Sequence, residues 1–245
     1  MKQFGLIGYP LSHSFSKKYF SEKFEKAAIT DAHYELYELK SLEDFKRWMK
    51  SVPHLKGLNV TIPYKQEVIP FLDRLNDKAK AIGAVNVIKK EADGTYTGYN
   101  SDYYGFKNSL EEFLGNTLPK KALVLGTGGA SKAVIVALQD MGIDYRYVSR
   151  KASGAILGYE DLTAELVAEH LLIINTTPLG MSPHTDQCPP IPYESIGQDH
   201  RLYDLVYNPS ETLFMKKGLQ QGAKVKNGLD MLILQAEKAW EIWNS

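Results

Sequence analysis

The chain of 245 residues has a single cysteine, Cys188. One thiol excludes an intrachain disulfide and any zinc site built from cysteine. The six histidines are scattered without metal-ligand spacing, so no metal is expected. Net charge is missing too, because 29 Lys and Arg balance 29 Asp and Glu. No field of one sign then favours nucleic acid or anionic lipid as a partner. No apolar run approaches membrane-spanning length, and the stretch before Pro10 is too short for a signal peptide. Internal repeats, low-complexity tracts and coiled-coil heptads are also absent. A reducing, cytoplasmic setting is expected.

What is present is an alternation of strand and helix patterns, which argues for an α/β fold with parallel sheets covered by helices. Strands are expected at 4–8, 33–39 and 55–62, each followed by a helical pattern at 14–28, 42–49 and 65–75. Two strand-like runs within 85–99 flank Asp93-Gly94, a hairpin signal. A helix at 102–114 leads into a second series: a strand opening the run 121–133, helix 130–141, strand 145–148, helix 162–169, strands 171–175 and 202–207, helix 213–221 and strand 224–225. The chain closes on 229–243, where Leu229, Leu232, Ile233, Ala236, Trp240 and Trp243 share one helical face.

The run Lys121-Ala-Leu-Val-Leu-Gly-Thr-Gly-Gly-Ala-Ser-Lys-Ala133 reads as a buried strand turning on glycines into a helix. Gly126 permits the tight turn, and Gly128 and Gly129 let the main chain approach a pyrophosphate at the positive end of the helix. Ser131 falls where the dinucleotide fingerprint has its third small residue. About twenty residues on, where an NAD site places an acid, the chain has Ser149, Arg150 and Lys151. A carboxylate would repel a 2′-phosphate and Arg150 can grip it, so NADP is favoured over NAD.

Polar residues gather after the strands of the first half: Ser12, His13, Ser14 and Ser16, then Asn59-Val-Thr-Ile-Pro-Tyr-Lys65, then Asn86 and Asn100-Ser-Asp102. Open α/β sheets hold ligands at these strand ends. Each residue also has a plain structural reading: Ser14 as a helix cap, Lys65 as a solvated first-turn residue, Asp102 as an N-cap. Lys65 and Asp102 are the charged pair suited to proton transfer, since a carbonyl reduced by hydride leaves an alkoxide that must be protonated. His13 is a rival acid-base group, with an orienting role as its alternative.

Pro10-Leu-Ser-His-Ser-Phe-Ser16, Asn59-Val-Thr-Ile-Pro-Tyr-Lys65, Gly83-Ala-Val-Asn86, Gly98-Tyr-Asn-Ser-Asp102, the Gly126 loop, Asn175-Thr-Thr-Pro-Leu-Gly-Met181, Asp204-Leu-Val-Tyr207 and Asn227-Gly-Leu-Asp-Met231 with Gln235 resemble the shikimate dehydrogenase family. The matches run in family order from Pro10 to Gln235. The resemblance implies NADP-dependent reduction of 3-dehydroshikimate to shikimate by a monomer or homodimer. It implies a substrate-binding catalytic domain at 1–101, completed by a terminal helix at 229–245, and a Rossmann-like NADP domain at 102–228. Ser14 and Ser16 would hold the substrate carboxylate, aided by Tyr207. Thr61, Asn86 and Gln235 would take the ring hydroxyls, and Lys65 and Asp102 would be the catalytic pair. Gly126, Thr127, Gly128, Gly129, Ala130, Ser149, Arg150 and Lys151 would bind the cofactor, with Asn175, Thr176, Thr177, Met181, Leu205 and Gly228 bordering it.

The chain departs from the family pattern at Lys17-Lys18, at Ser101 beside Asp102, at Ser149 before Arg150, and at Gly154, where a second basic residue often lies. A quinate/shikimate dehydrogenase that accepts NAD is the nearest alternative. A catalytically silent NADP-binding regulator is another, against which the intact Lys65 and Asp102 argue.

Overall fold

A computed structural model describes residues 1–11 and 14–245. It divides into two compact units, Met1–Ser101 with Ala236–Ser245, and Asp102–Gln235.

The first unit contains β1 (Lys2–Gly8), α1 (Phe15–Lys26), β2 (Ala32–Glu38), α2 (Phe45–Ser51), β3 (Leu55–Val60), β4 (Arg74–Leu75), α3 (Asp77–Ile82), β5 (Val87–Lys90) and β6 (Tyr96–Tyr99). These strands form one sheet in the order β2-β1-β3-β5-β6-β4. β1 runs parallel to both β2 and β3, while β5 and β6 form the antiparallel hairpin expected around Asp93-Gly94. Alternation along β1 feeds two cores. Phe4 and Leu6 join Phe20, Tyr34, Ala239 and Trp243, whereas Ile7 joins Phe45, Met49, Leu58 and Val85. The terminal residues seal the first of these cores, where Trp243 Nε1 donates to the Ile88 carbonyl at 3.0 Å.

The helix expected over 65–75 does not form. Pro70 has no N–H to continue a helical ladder. The segment instead closes i,i+3 bonds, Ile69 N–H to Gln66 and Phe71 N–H to Val68, as a short 3₁₀ turn at Ile69–Phe71. Asp73 then exchanges bonds with Tyr96, main chain to main chain at 2.9 Å and Tyr96 N–H to its carboxylate at 2.8 Å, which draws β4 alongside β6. The helix comes later as α3, capped by Asn76 and closed by Gly83 at φ +67°.

The second unit follows with α4 (Ser101–Leu114), β7 (Lys121–Leu125), α5 (Gly129–Asp140), β8 (Asp144–Ser149), β9 (Leu157–Gly158), α6 (Ala164–Glu169), β10 (Leu172–Asn175), β11 (Arg201–Asp204), α7 (Leu213–Gln220) and β12 (Lys224–Lys226), and α8 (Leu229–Asn244) begins in it, its residues from Ala236 onward belonging to the first unit. Its sheet is parallel throughout, in the order β12-β11-β10-β7-β8-β9. Numbered within the unit, this is the 3-2-1-4-5-6 order of dinucleotide-binding sheets. Residues Ala122–Leu125 of β7 and Leu172–Asn175 of β10 are fully buried, as expected for central strands covered on both faces. β11 stops at Asp204, short of the expected Tyr207, because the Asp204 carboxylate accepts the Val206 N–H at 3.0 Å and turns the chain. None of the described helices is long and apolar enough to cross a membrane.

Candidate active site

In the second sheet the direction of connection reverses between β7 and β10, the place where open α/β sheets hold ligands. After β7 the chain turns at Gly126 with φ +104°, a left-handed value that favours glycine. A Cβ there would stand 2.9 Å from both Thr176 Oγ1 and Thr177 Cγ2, so glycine lets this loop pack on the one after β10. At Gly128 and Gly129 a Cβ would meet no atom within 4 Å. Those two positions leave open space at the start of α5, whose first turn carries neither a side-chain cap nor an acidic residue. Backbone amides, a positive helix end and vacant space together fit the pyrophosphate of a dinucleotide. Ser131 is fully buried, its hydroxyl donating to the Gly128 carbonyl at 2.7 Å, which accounts for a small residue at this position.

A cavity of about 410 Å³ opens here and brings together Gly126, Thr127, Gly128, Ser149, Arg150, Thr176 and Thr177 from distant parts of the sequence. Tyr159, Pro178 and Leu179 complete its lining, and none of the lining residues is acidic. Gly129 and Ala130 continue into α5, while Lys151 and Met181 are exposed outside the lining set. Leu205 donates its N–H to Asn175, and Gly228 packs so closely that a Cβ would fall 2.1 Å from the Leu205 carbonyl oxygen.

Beneath the cavity lies a buried polar chain. Asp204 accepts from Thr212 Oγ1 at 2.6 Å and from Asn175 Nδ2 at 2.9 Å. Asn175 Oδ1 in turn accepts the Thr177 N–H and hydroxyl at 3.0 and 2.6 Å. This chain fixes the loop that carries Thr176 and Thr177. Burial pushes the Asp204 carboxyl up from 3.8 to about 6, against the opposing bonds from Thr212, Val206 and Asn175. Sequence reasoning gives Asp204 no role. A lone acid at the end of an apolar strand was the available signal.

In the first unit the equivalent reversal falls between β1 and β3. Ser14 caps α1, its hydroxyl accepting the Lys17 N–H at 3.4 Å. Ser16 hydrogen-bonds with Tyr34, whose hydroxyl donates to Asn59 Oδ1 at 2.8 Å. Burial pushes the Tyr34 pKa up, and the Ser16 bond acts the other way. Asn59 Nδ2 reaches the Asn86 carbonyl at 3.4 Å. Asn86 holds Ser101, accepting its N–H at 2.6 Å and donating to its hydroxyl at 3.0 Å. Part of the Asn86 amide is therefore committed to the backbone that precedes Asp102. Thr61 leaves β3 with its N–H on the Ile7 carbonyl at 2.9 Å, and the Lys65 carbonyl accepts from Val85 at 2.7 Å. Ser14, Ser16, Thr61, Lys65 and Asn86 thus share the first unit, whereas Asp102, Tyr207 and Gln235 belong to the second. Asp102 sits in the first turn of α4, after its opening residue. Gln235 is buried in α8, and Tyr207 is partly exposed after β11. His13 lies outside the described residues. Tyr34 and Asn59 were not assigned from sequence.

Residues 6–88 match the family model described as the shikimate dehydrogenase substrate binding domain. A shikimate dehydrogenase (NADP(+)) of Clostridium beijerinckii is 44% identical, over 99% of this chain and 92% of the relative. The shikimate 5-dehydrogenase of Thermus thermophilus, solved with NADP(H) and shikimate, superposes with a TM-score of 0.84 at 30% identity, over 99% of this chain and 93% of the other. The quinate dehydrogenase of Corynebacterium glutamicum, solved with NAD, superposes with a TM-score of 0.87 at 27% identity, again over 99% and 93%. Similarity at this level along nearly the full length of both chains establishes that the chain belongs to the shikimate dehydrogenase family.

Proposed function

We propose that this chain catalyses the reversible, NADP-dependent reduction of 3-dehydroshikimate to shikimate, in the route to chorismate and the aromatic amino acids. One observation carries the cofactor half of the reading: a cavity at the sheet reversal, floored by Gly126 and Gly128, with Arg150 in its lining and no acid to repel a 2′-phosphate. In this reading the units divide the work. The first, completed by the terminal helix, supplies most of the substrate-binding residues, and the second takes the cofactor and adds Asp102 and Tyr207.

The reduced nicotinamide supplies the hydride. The protein must bind the carboxylate and ring hydroxyls, exclude water and protonate the oxygen that the hydride leaves anionic. Ser14 and Ser16 are assigned to the carboxylate with Tyr207, and Thr61, Asn86 and Gln235 to the hydroxyls. Lys65 delivers the proton and regains one from solvent, and the Asp102 carboxylate orients the ammonium. Gly126 to Ala130 and Ser149 to Lys151 hold the pyrophosphate and adenosine ends, while Asn175 to Thr177, Met181, Leu205 and Gly228 border the rest of the cofactor. The enzyme is placed in the cytoplasm, as a monomer or homodimer, acting on small molecules and not on nucleic acid.

Lys65→Ala and Asp102→Asn test the catalytic assignment. Positioned proton transfer contributes roughly 10²–10⁴ in rate, so each variant should lose turnover on that scale while keeping its affinity for NADPH. Near-normal turnover at saturating substrate would remove that residue from the acid-base pair.

A further inference from the structure

The aromatic wall of the 410 Å³ cavity has no role in the assignments above. β9 pairs with β8 in parallel, Val148 opposite Leu157 and Ser149 opposite Gly158. The two strands therefore end level, and the next residue on each, Arg150 and Tyr159, leaves the same edge of the sheet side by side. Both line the cavity. The Tyr159 main chain is fixed in a 3₁₀ turn to Asp161, whose carboxylate accepts the Gly158 N–H at 2.7 Å. Its ring is partly buried and rests on the core that contains Leu123, Leu162 and Phe214. Burial raises its hydroxyl pKa and the nearby Arg150 charge lowers it, which places the guanidinium within electrostatic reach of the phenol.

The covalent structure of the ligand turns this placement into an assignment, and the step rests on the cavity holding NADP. Adenine and the 2′-phosphate are attached to neighbouring carbons of one ribose. If Arg150 takes the phosphate and the glycine loop the pyrophosphate, the group beside Arg150 faces the base. We propose that Tyr159 is the adenine-contacting residue of this chain, offering its ring to the heterocycle while Arg150 holds the adjoining phosphate. An aromatic ring on a rigid turn gives contact area at low entropic cost and does not distinguish NADP from NAD. Tyr159 then supplies affinity for either dinucleotide, and Arg150 supplies the preference between them.

Calorimetric titration of the full chain with adenosine 2′,5′-bisphosphate and with 5′-AMP separates these roles without turnover. Base–aromatic stacking, read by truncation, is worth roughly ten- to a hundredfold in affinity. Tyr159→Ala and Tyr159→Leu should both weaken the two ligands by that factor and leave the ratio between them unchanged. Tyr159→Phe should bind both ligands within about threefold of wild type, since it keeps the ring. The leucine variant preserves apolar packing, so its loss would report the missing ring and not a collapsed core. Wild-type affinity in the alanine and leucine variants would overturn the proposal while leaving the cofactor reading intact. A changed ratio would also overturn it, by showing that the substitution acts through Arg150. Failure of wild-type protein to bind either ligand or NADPH would overturn the proposal and the cofactor reading together.

Discussion

Replacing Asp204 by asparagine should make the protein more stable at neutral pH relative to acid pH than the wild type is. The carboxyl is fully buried and takes up its proton at about 6, against an ordinary value of 3.8. Below 3.8 it is neutral in both the folded and the unfolded chain and contributes nothing. Between the two values the folded chain binds more protons, so stability falls as pH rises, and above about 6 the full penalty is in place. A shift of that size corresponds to about 3 kcal/mol, of which about 2 kcal/mol develops between pH 4.5 and pH 7.5. Asparagine has nearly the same shape, keeps an oxygen for the Asn175 and Val206 donors, and cannot ionise. Urea unfolding of both proteins at the two pH values gives the double difference directly. Other titrating groups, including the salt-bridged Glu35 and Glu237, act on both proteins and cancel. The expected double difference is about 2 kcal/mol in favour of the variant at the higher pH. A difference that does not change with pH, or that changes with the opposite sign, would refute a charged Asp204 in this core.

Arg150→Ala should reduce the preference for NADP over NAD by about one to two powers of ten, the worth of one charge-assisted phosphate contact. Equal losses for both cofactors, measured as Kd at two salt concentrations, would assign Arg150 to the turn instead. Ser16→Ala should weaken substrate binding about ten- to a hundredfold through a lost carboxylate contact, with little change for an analogue lacking the carboxylate. Ser14→Ala should do the same and in addition cost about 1 kcal/mol of stability, since this hydroxyl caps α1. Equilibrium binding and urea unfolding together check both variants, and a serine variant that still discriminates for the carboxylate contradicts the assignment.

The parts of the fold legible in the sequence were those with local signals. The run from Lys121 to Ala133 carries strand, turn and helix within thirteen residues, and Asp93-Gly94 marks its hairpin without reference to anything distant. The segment 65–75 carries Pro70, which stops a helix there, while Asn76 and Gly83, which bound α3, are cap signals in the sequence. Asn175 and Thr177 could be placed by motif, but their link to Asp204 spans twenty-nine residues and exists only once β10 and β11 pair. Tyr34 and Asn59 meet in the same way across β2 and β3, which are not neighbours in the sheet. Tyr159 follows a strand of two residues, too short for any periodic pattern, and its position beside Arg150 depends on the β8–β9 register.

The most direct measurement is a steady-state assay of the purified chain with shikimate and quinate, each paired with NADP and with NAD. The account predicts turnover with shikimate and NADP at a kcat/KM well above the other three combinations, because Arg150 lines the cavity and no acid opposes a 2′-phosphate. Absence of turnover with shikimate, or a preference for NAD over NADP, would contradict it.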